Sequence, residues 1–275
     1  MLKPKFLLLA GSFLALAPAH AQLAHRYDLN TANDSVGTAN GTVVGTGTVL
    51  ANGILTTTGA AGQALSLPAS VGTGLTGNFS IEFYATSATG TSADFSSFFS
   101  IANAQTNFLL FNPNRGGANN NSFVDFRQAG ATAGGNEVSV DLRSKLAGDT
   151  LQHQIVLTYN VTSGLASVYN NGVFAASGNI GAGFSLQSAA NGANNGIGGG
   201  TNPYNDPSWN GSIADFRVYS QELTTGQVTA LNRLGPDASN AAIAGAVPEP
   251  STWLATILSG AAALFGLQRF RRSAA

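Results

Sequence analysis

Glycoside hydrolysis needs two carboxylates a short distance apart, one to protonate the leaving group and one to attack or to activate water. On a strand, that chemistry would appear as acids at alternating positions, in a run such as Glu-x-Asp-x-x-Glu, and the chain contains no such run. Glu82 is the only acid on its predicted strand. Glu137 and Asp141, four residues apart, would share a strand face but lie too far apart in rise for a retaining pair. Ser-His-Asp catalysis has little to draw on, since neither His25 nor His153 stands near a Gly-x-Ser-x-Gly elbow; both fit hydrogen-bonded structural roles. Gly196 to Gly200 lack the Lys-Ser/Thr ending and the following helix of a phosphate loop. No catalytic residue is assigned, and the chain reads as a non-enzyme. Binding chemistry is better supplied. Residues 201–209 place Tyr204 and Trp209 among amides, with Asn205 between them, which combines stacking rings with hydrogen-bonding groups as sugar sites do. Trp209 fits a core position equally well. Arg115 with Asn119, Asn120 and Asn121 forms a second candidate glycan patch.

The elements that must position these residues are strands. Short β-branched or aromatic runs recur between Gly, Asn and Ser clusters from Leu23 to Leu234, with little helical periodicity. Residues 154–159, 165–169 and 173–175 predict a three-stranded meander whose second turn is Asn171-Gly172, a pair that tolerates positive φ. In residues 79–85, Phe79, Ile81 and Phe83 alternate with Ser80, Glu82 and Tyr84. Residues 97–101, 108–111, 123–126 and 211–219 supply further strands, and sixteen Phe can fill a two-sheet core. Residues 223–231 predict one short helix with Thr224 or Thr225 as its cap. Residues 235–246, small and polar, predict a flexible linker.

The two ends differ from this body. Lys3 and Lys5, an apolar run from Phe6 to Ala17 and the small-x-small pattern Ala19-His20-Ala21 predict a signal peptide over 1–21, cut by signal peptidase before Gln22. An N-terminal anchor is the alternative, though the run is short for a span. At the other end, Val247-Pro248-Glu249-Pro250 precedes an uncharged stretch, 251–267, long enough for about 25 Å of helix, at the short edge of the spanning range. Arg269, Arg271 and Arg272 would hold its far side in the cytoplasm, leaving the body outside. Between the ends lie seven basic and twelve acidic residues, a net charge of −5 that argues against nucleic acid as a partner. Cysteine is absent, which excludes a disulfide framework, a zinc-thiolate site and a cysteine nucleophile.

Val-Pro-Glu-Pro, a short apolar helix and an Arg-rich terminus, in that order over 247–275, resemble the PEP-CTERM sorting signal of Gram-negative bacteria. The resemblance implies an exosortase as partner, transient tethering in the inner membrane, and delivery to the cell surface or the extracellular exopolysaccharide matrix. An ordinary tail anchor is the alternative, but it has no need of the two prolines that keep the segment extended. The body, 22–234, resembles the laminin G or concanavalin A-like jelly-roll superfamily through 25–29 with Asp34-Ser35-Val36-Gly37, through 79–85, through the meander and through 209–231. The implied fold is an all-β, two-sheet antiparallel sandwich. The same resemblance implies a calcium site between opening and closing strands, for which Asp28, Asp34, Asp206 and Asp215 stand in the matching segments; oxygen ligands of this kind suit calcium. Function does not follow from this fold. The expected role is a structural or adhesive surface module, with lectin-like binding of extracellular polysaccharide as the alternative and glycoside hydrolysis a more distant one.

Overall fold

The computed structural model describes residues 23–90, 92–117, 120–128, 137–199 and 204–247. The chain opens with β1 (Leu23–Tyr27), β2 (Thr42–Val44), β3 (Val49–Ala51), β4 (Ile54–Thr58) and β5 (Ala64–Ser66). Longer strands follow: β6 (Phe79–Ser87), β7 (Phe99–Ala104), β8 (Asn107–Asn112), β9 (Phe123–Gln128), β10 (Val138–Asp141), β11 (Gln152–Tyr159), β12 (Leu165–Asn170) and β13 (Val173–Asn179). A short helix α1 (Leu186–Ala190), β14 (Gly196–Ile197), β15 (Asn210–Tyr219) and helices α2 (Thr225–Leu234) and α3 (Asn240–Ala246) complete it.

Two antiparallel sheets face each other in a jelly-roll sandwich. One has the order β13-β12-β11-β6-β15-β4-β3, with β1 pairing the end of β15; the other has the order β10-β9-β8-β7-β14-β5-β2. The inward rows interdigitate as period-two alternation requires. Phe79, Ile81 and Phe83 of β6 meet Phe99, Phe111, Val124 and Phe126 of the opposite sheet in one buried cluster. Phe83 touches Phe98, Phe99, Phe111 and Phe216 with ring centroids 5.2 to 6.1 Å apart. The predicted meander is β11-β12-β13, and Asn171 and Gly172 take φ of 51° and 77° at its second turn.

The other face of β6 is buried too, because α2 and α3 cover it. Val156, Tyr169, Tyr219, Leu223, Val228, Leu231, Ile243 and Val247 form a second apolar cluster there. Thr224 caps α2 and, with Gln227, completes a reciprocal capping box. The predicted flexible linker over 235–246 is corrected here: its second half is α3, capped by Ser239, with Ile243 buried. Small residues suggested mobility, but Ala is the best helix former, and one apolar residue at the right place docks the helix. Val247, the first residue of the predicted sorting motif, is buried in the same cluster. The signal peptide over 1–21, Pro248, Glu249, Pro250, the span 251–267 and Arg269, Arg271 and Arg272 lie outside the described residues. Among the described residues no helix is long and apolar enough to cross a membrane.

Candidate functional site

Alternation that sends Leu109, Phe111, Val124, Phe126 and Val140 into the core turns their neighbours outward. The strand register then sets Leu110 and Ser139 on either side of Asp125, and Phe123 opposite Asn112. These residues border a cavity of about 300 Å³ on the solvent side of the seven-stranded sheet. Leu110, Asn112, Phe123 and Asp125 are its buried residues, and Phe95, Tyr204, Glu137 and Asp206 are its more exposed ones.

Asn112 is 2% exposed, and its Nδ2 donates to Phe95 O at 2.7 Å, Ser96 O at 3.0 Å and Ser97 Oγ at 3.0 Å. Its Oδ1 is buried and has no hydrogen-bond partner among the described residues. A buried acceptor without a donor costs free energy unless something supplies one. The Asn112 amide also fixes the backbone at Phe95, a residue at φ 60°, where a bulky side chain is strained. The Phe95 ring is 47% exposed and stands edge-on to Phe123 at 6.3 Å. Across the cavity Tyr204 packs edge-on against Phe108 at 5.8 Å, and Arg127 Nη1 donates to its hydroxyl at 3.4 Å.

Asp125 sits between these walls. Burial pushes its carboxyl up to about 7; the Ser139 hydroxyl, which donates to it, opposes that rise, while the charge and hydrogen bond of Glu137 add to it. Arg115 reaches the same group through Ser139 Oγ at 2.9 Å and lies over the Phe123 ring at 5.1 Å. Arg127 lies over Phe108 at 5.5 Å and pairs with Glu137 at 3.7 Å. The pairing of β9 with β10 sets Glu137 near Asp125, and both border the cavity.

The residues singled out from sequence fall differently. Tyr204 borders the cavity and Asn205 occupies an exposed turn beside it at φ 59°. Trp209, offered as a glycan contact, is fully buried against Phe98 at 4.7 Å; its core alternative holds, because the indole fills the space between the sheets. Arg115 does not border the cavity; its backbone N–H donates to Asn121 O at 2.9 Å, and Asn119 lies outside the described residues. Asp34 accepts from the amides of Arg26, Val36, Gly37 and Ala39, and His25 Nδ1 lies 2.6 Å from it. Asp215 is held by Arg26 and Arg217. Asp28 receives the amide of Asn30, and Asp206 borders the cavity. Among the described residues no three acidic or histidine side chains gather as metal ligands. The reading of the sequence passed over Asn112, Asp125 and Phe95. A usable signal was the outward row Phe123-x-Asp125-x-Arg127, where an acid lies between an aromatic and a cation.

The model of the family Laminin_G_3, described as the concanavalin A-like lectin/glucanases superfamily, matches residues 57–229. The chain belongs to this superfamily. Among solved structures of similar fold is domain 4 of AbnA, a GH43 extracellular arabinanase from Geobacillus stearothermophilus, in complex with arabinotriose; identity is 23%, TM-score 0.53, and 77% of this chain and 98% of that one are covered. Another is the Ruminococcus gnavus IT-sialidase CBM40 bound to alpha2,3 sialyllactose, at 15% identity and TM-score 0.50, covering 67% and 98%. The receptor binding domain of botulinum neurotoxin C/D mosaic serotype is similar at 13% identity and TM-score 0.51, covering 77% and 50%. No curated protein sequence matches the chain. At these identities the likeness to the superfamily structures is one of fold.

Proposed function

We propose that this chain is a non-catalytic carbohydrate-binding module, exported and sorted through its PEP-CTERM-like end by exosortase, that fastens extracellular polysaccharide at the cell surface. The observation that carries the binding role is the buried, unpartnered Asn112 Oδ1 beside a cavity flanked by Phe95, Phe123 and Tyr204. Sugars offer hydroxyl donors for the acceptor and C–H faces for the rings. Two relatives of the same fold were solved with oligosaccharides, which sets the ligand class to test first. A non-catalytic role is supported by the sequence, which carries no run of alternating acids on one strand.

A glycan array probed with the full-length protein tests the binding role; retention of at least one oligosaccharide, weakened by Tyr204→Ala, is expected, and an array with no retained sugar would overturn it. The sorting role is tested by intact mass in membrane and medium fractions. A species starting at Gln22 and ending near Pro250 is expected, whereas a species ending at Ala275 in membranes would make the chain tail-anchored. Calcium is not a partner in this reading, because Asp34 and Asp215 already meet amide, imidazole and guanidinium groups. Dialysis against EDTA is expected to leave the melting temperature and sugar retention unchanged, and a loss of either restores calcium.

A further inference from the structure

We propose that the cavity on the seven-stranded sheet selects an uncharged, hydroxyl-rich sugar and rejects acidic sugars, because Asn112 Oδ1 and the carboxylates of Asp125, Glu137 and Asp206 present acceptors to it. This rests on the carbohydrate-binding reading and narrows its ligand. The donor half of the Asn112 amide is fully engaged by Phe95 O, Ser96 O and Ser97 Oγ, so the cavity meets only its acceptor half. A sugar hydroxyl can donate to each of these oxygens. A uronate or sialate carboxylate would bring a like charge into a pocket that already holds three acids, and in a partly desolvated site that repulsion is poorly screened.

The nearby cations do not reverse the sign. Arg115 is turned onto Ser139 and the Phe123 ring. Arg127 donates to Gln105 O at 2.7 Å and to Tyr204, and it pairs with Glu137, while its Nε is buried with no hydrogen-bond partner among the described residues. Arg115 lies over the Phe123 ring and Arg127 over the Phe108 ring, and neither borders the cavity. Burial pushes Asp125 up to about 7, and the proton it keeps limits the negative charge near neutral pH. Raising the pH removes that proton, so discrimination against acids sharpens.

The test titrates the full-length protein at pH 8 with arabinotriose and maltotriose as neutral probes, and with sialyllactose and trigalacturonate as acidic ones. A preference of about tenfold or more for a neutral probe is expected from like-charge exclusion. The double variant Asp125→Asn with Glu137→Gln, near-isosteric and checked for an unchanged circular dichroism spectrum, is expected to bring the acidic probes to within about threefold of the neutral ones. Equal or tighter binding of an acidic probe by the wild type would overturn the selectivity while leaving carbohydrate binding intact. Persistence of the full preference in the folded double variant would also overturn it, since the carboxylates would then not be its source. Failure of all four probes, together with an empty array, would instead remove the carbohydrate-binding reading itself.

Discussion

The outward faces of the two sheets both carry acids and arginines, and they dispose of those charges in opposite ways. On the eight-stranded sheet, Glu82 and Arg217 are cross-strand partners 3.0 Å apart, and Tyr84, Tyr219 and Gln154 donate to Glu82. Asp215 is the extra residue of a bulge in β15, at φ 55°, which turns its carboxylate toward both Arg26 and Arg217. Arg217 Nη2 continues to Gly235 O at 2.9 Å, and Arg26 Nη1 donates to Asn240 Oδ1 at 2.6 Å, so α2, α3 and their connection close over the network. Apart from Gln154 Oε1, the side-chain polar atoms of this network have partners, as they must under a roof that excludes water. On the seven-stranded sheet no helix among the described residues covers Asn112, Asp125 and Glu137. There Asn112 Oδ1 has no donor among the described residues, and burial pushes the Asp125 carboxyl up to about 7. Buried polarity with partners holds a fold together; buried polarity without them, beside open space, marks a place for a ligand.

The largest effect is expected on the covered face. Arg217→Met would strand Glu82 without its cation and leave Asp215 with Arg26 alone, and removing one partner of a buried ion pair costs about 3 to 5 kcal/mol. Urea unfolding followed by tryptophan fluorescence measures it. A loss below about 1 kcal/mol, the scale of an exposed pair, would mean that the face is wet and the contrast between the sheets false.

A smaller effect separates the faces by pH. Asp125 holds its proton up to about 7 in the folded protein, whereas the unfolded chain releases it near 3.8, so the folded state binds more protons between those values. Stability therefore falls as pH rises from about 4 to 7, by at most about 1.4 kcal/mol per pH unit. Asp125→Asn is expected to flatten that slope in melting curves at pH 5, 6, 7 and 8. An unchanged slope would show that Asp125 is not the group responsible. Asp34 runs the other way: burial disfavours its charge, but His25 and the amides of Arg26, Gly37 and Val36 outweigh that and hold it well below the usual carboxylate range. Its contribution is complete above about pH 4 and is lost only in stronger acid, so the two windows do not overlap.

Much of the sandwich was legible because local rules decide it. Alternation in β6 fixed which side of Phe79, Ile81 and Phe83 faces the core, Asn171-Gly172 fixed a hairpin, and Thr224 fixed a helix start. The site was not legible in the same way. Asp125 and Glu137 are twelve residues apart, and only the pairing of β9 with β10 makes them neighbours. Phe95 sits in a loop whose left-handed backbone is held by Asn112 from another segment. Trp209 and α3 illustrate the converse: an aromatic among amides and a run of small residues look exposed and mobile until the rest of the fold packs against them. Tyr204 could be named from sequence because it lies in the same polar loop that reaches the cavity.

The smallest expected change in stability is also the sharpest test of the open face. Phe95→Gly removes a ring that is about half in solvent, and with it the edge-on contact to Phe123. Against that loss, glycine takes the φ of 60° without strain, a relief of about 1 kcal/mol. The two terms nearly cancel, so a shift in unfolding free energy within about 1 kcal/mol is expected. Retention of a neutral trisaccharide in an affinity gel should nevertheless drop by roughly tenfold, since a stacking ring is worth about that much. If the variant unfolds readily, Phe95 is a packing residue like those under α2 and α3, and the two faces follow one rule. A stable variant that loses the sugar would confirm that the open sheet keeps a strained ring in place for its ligand.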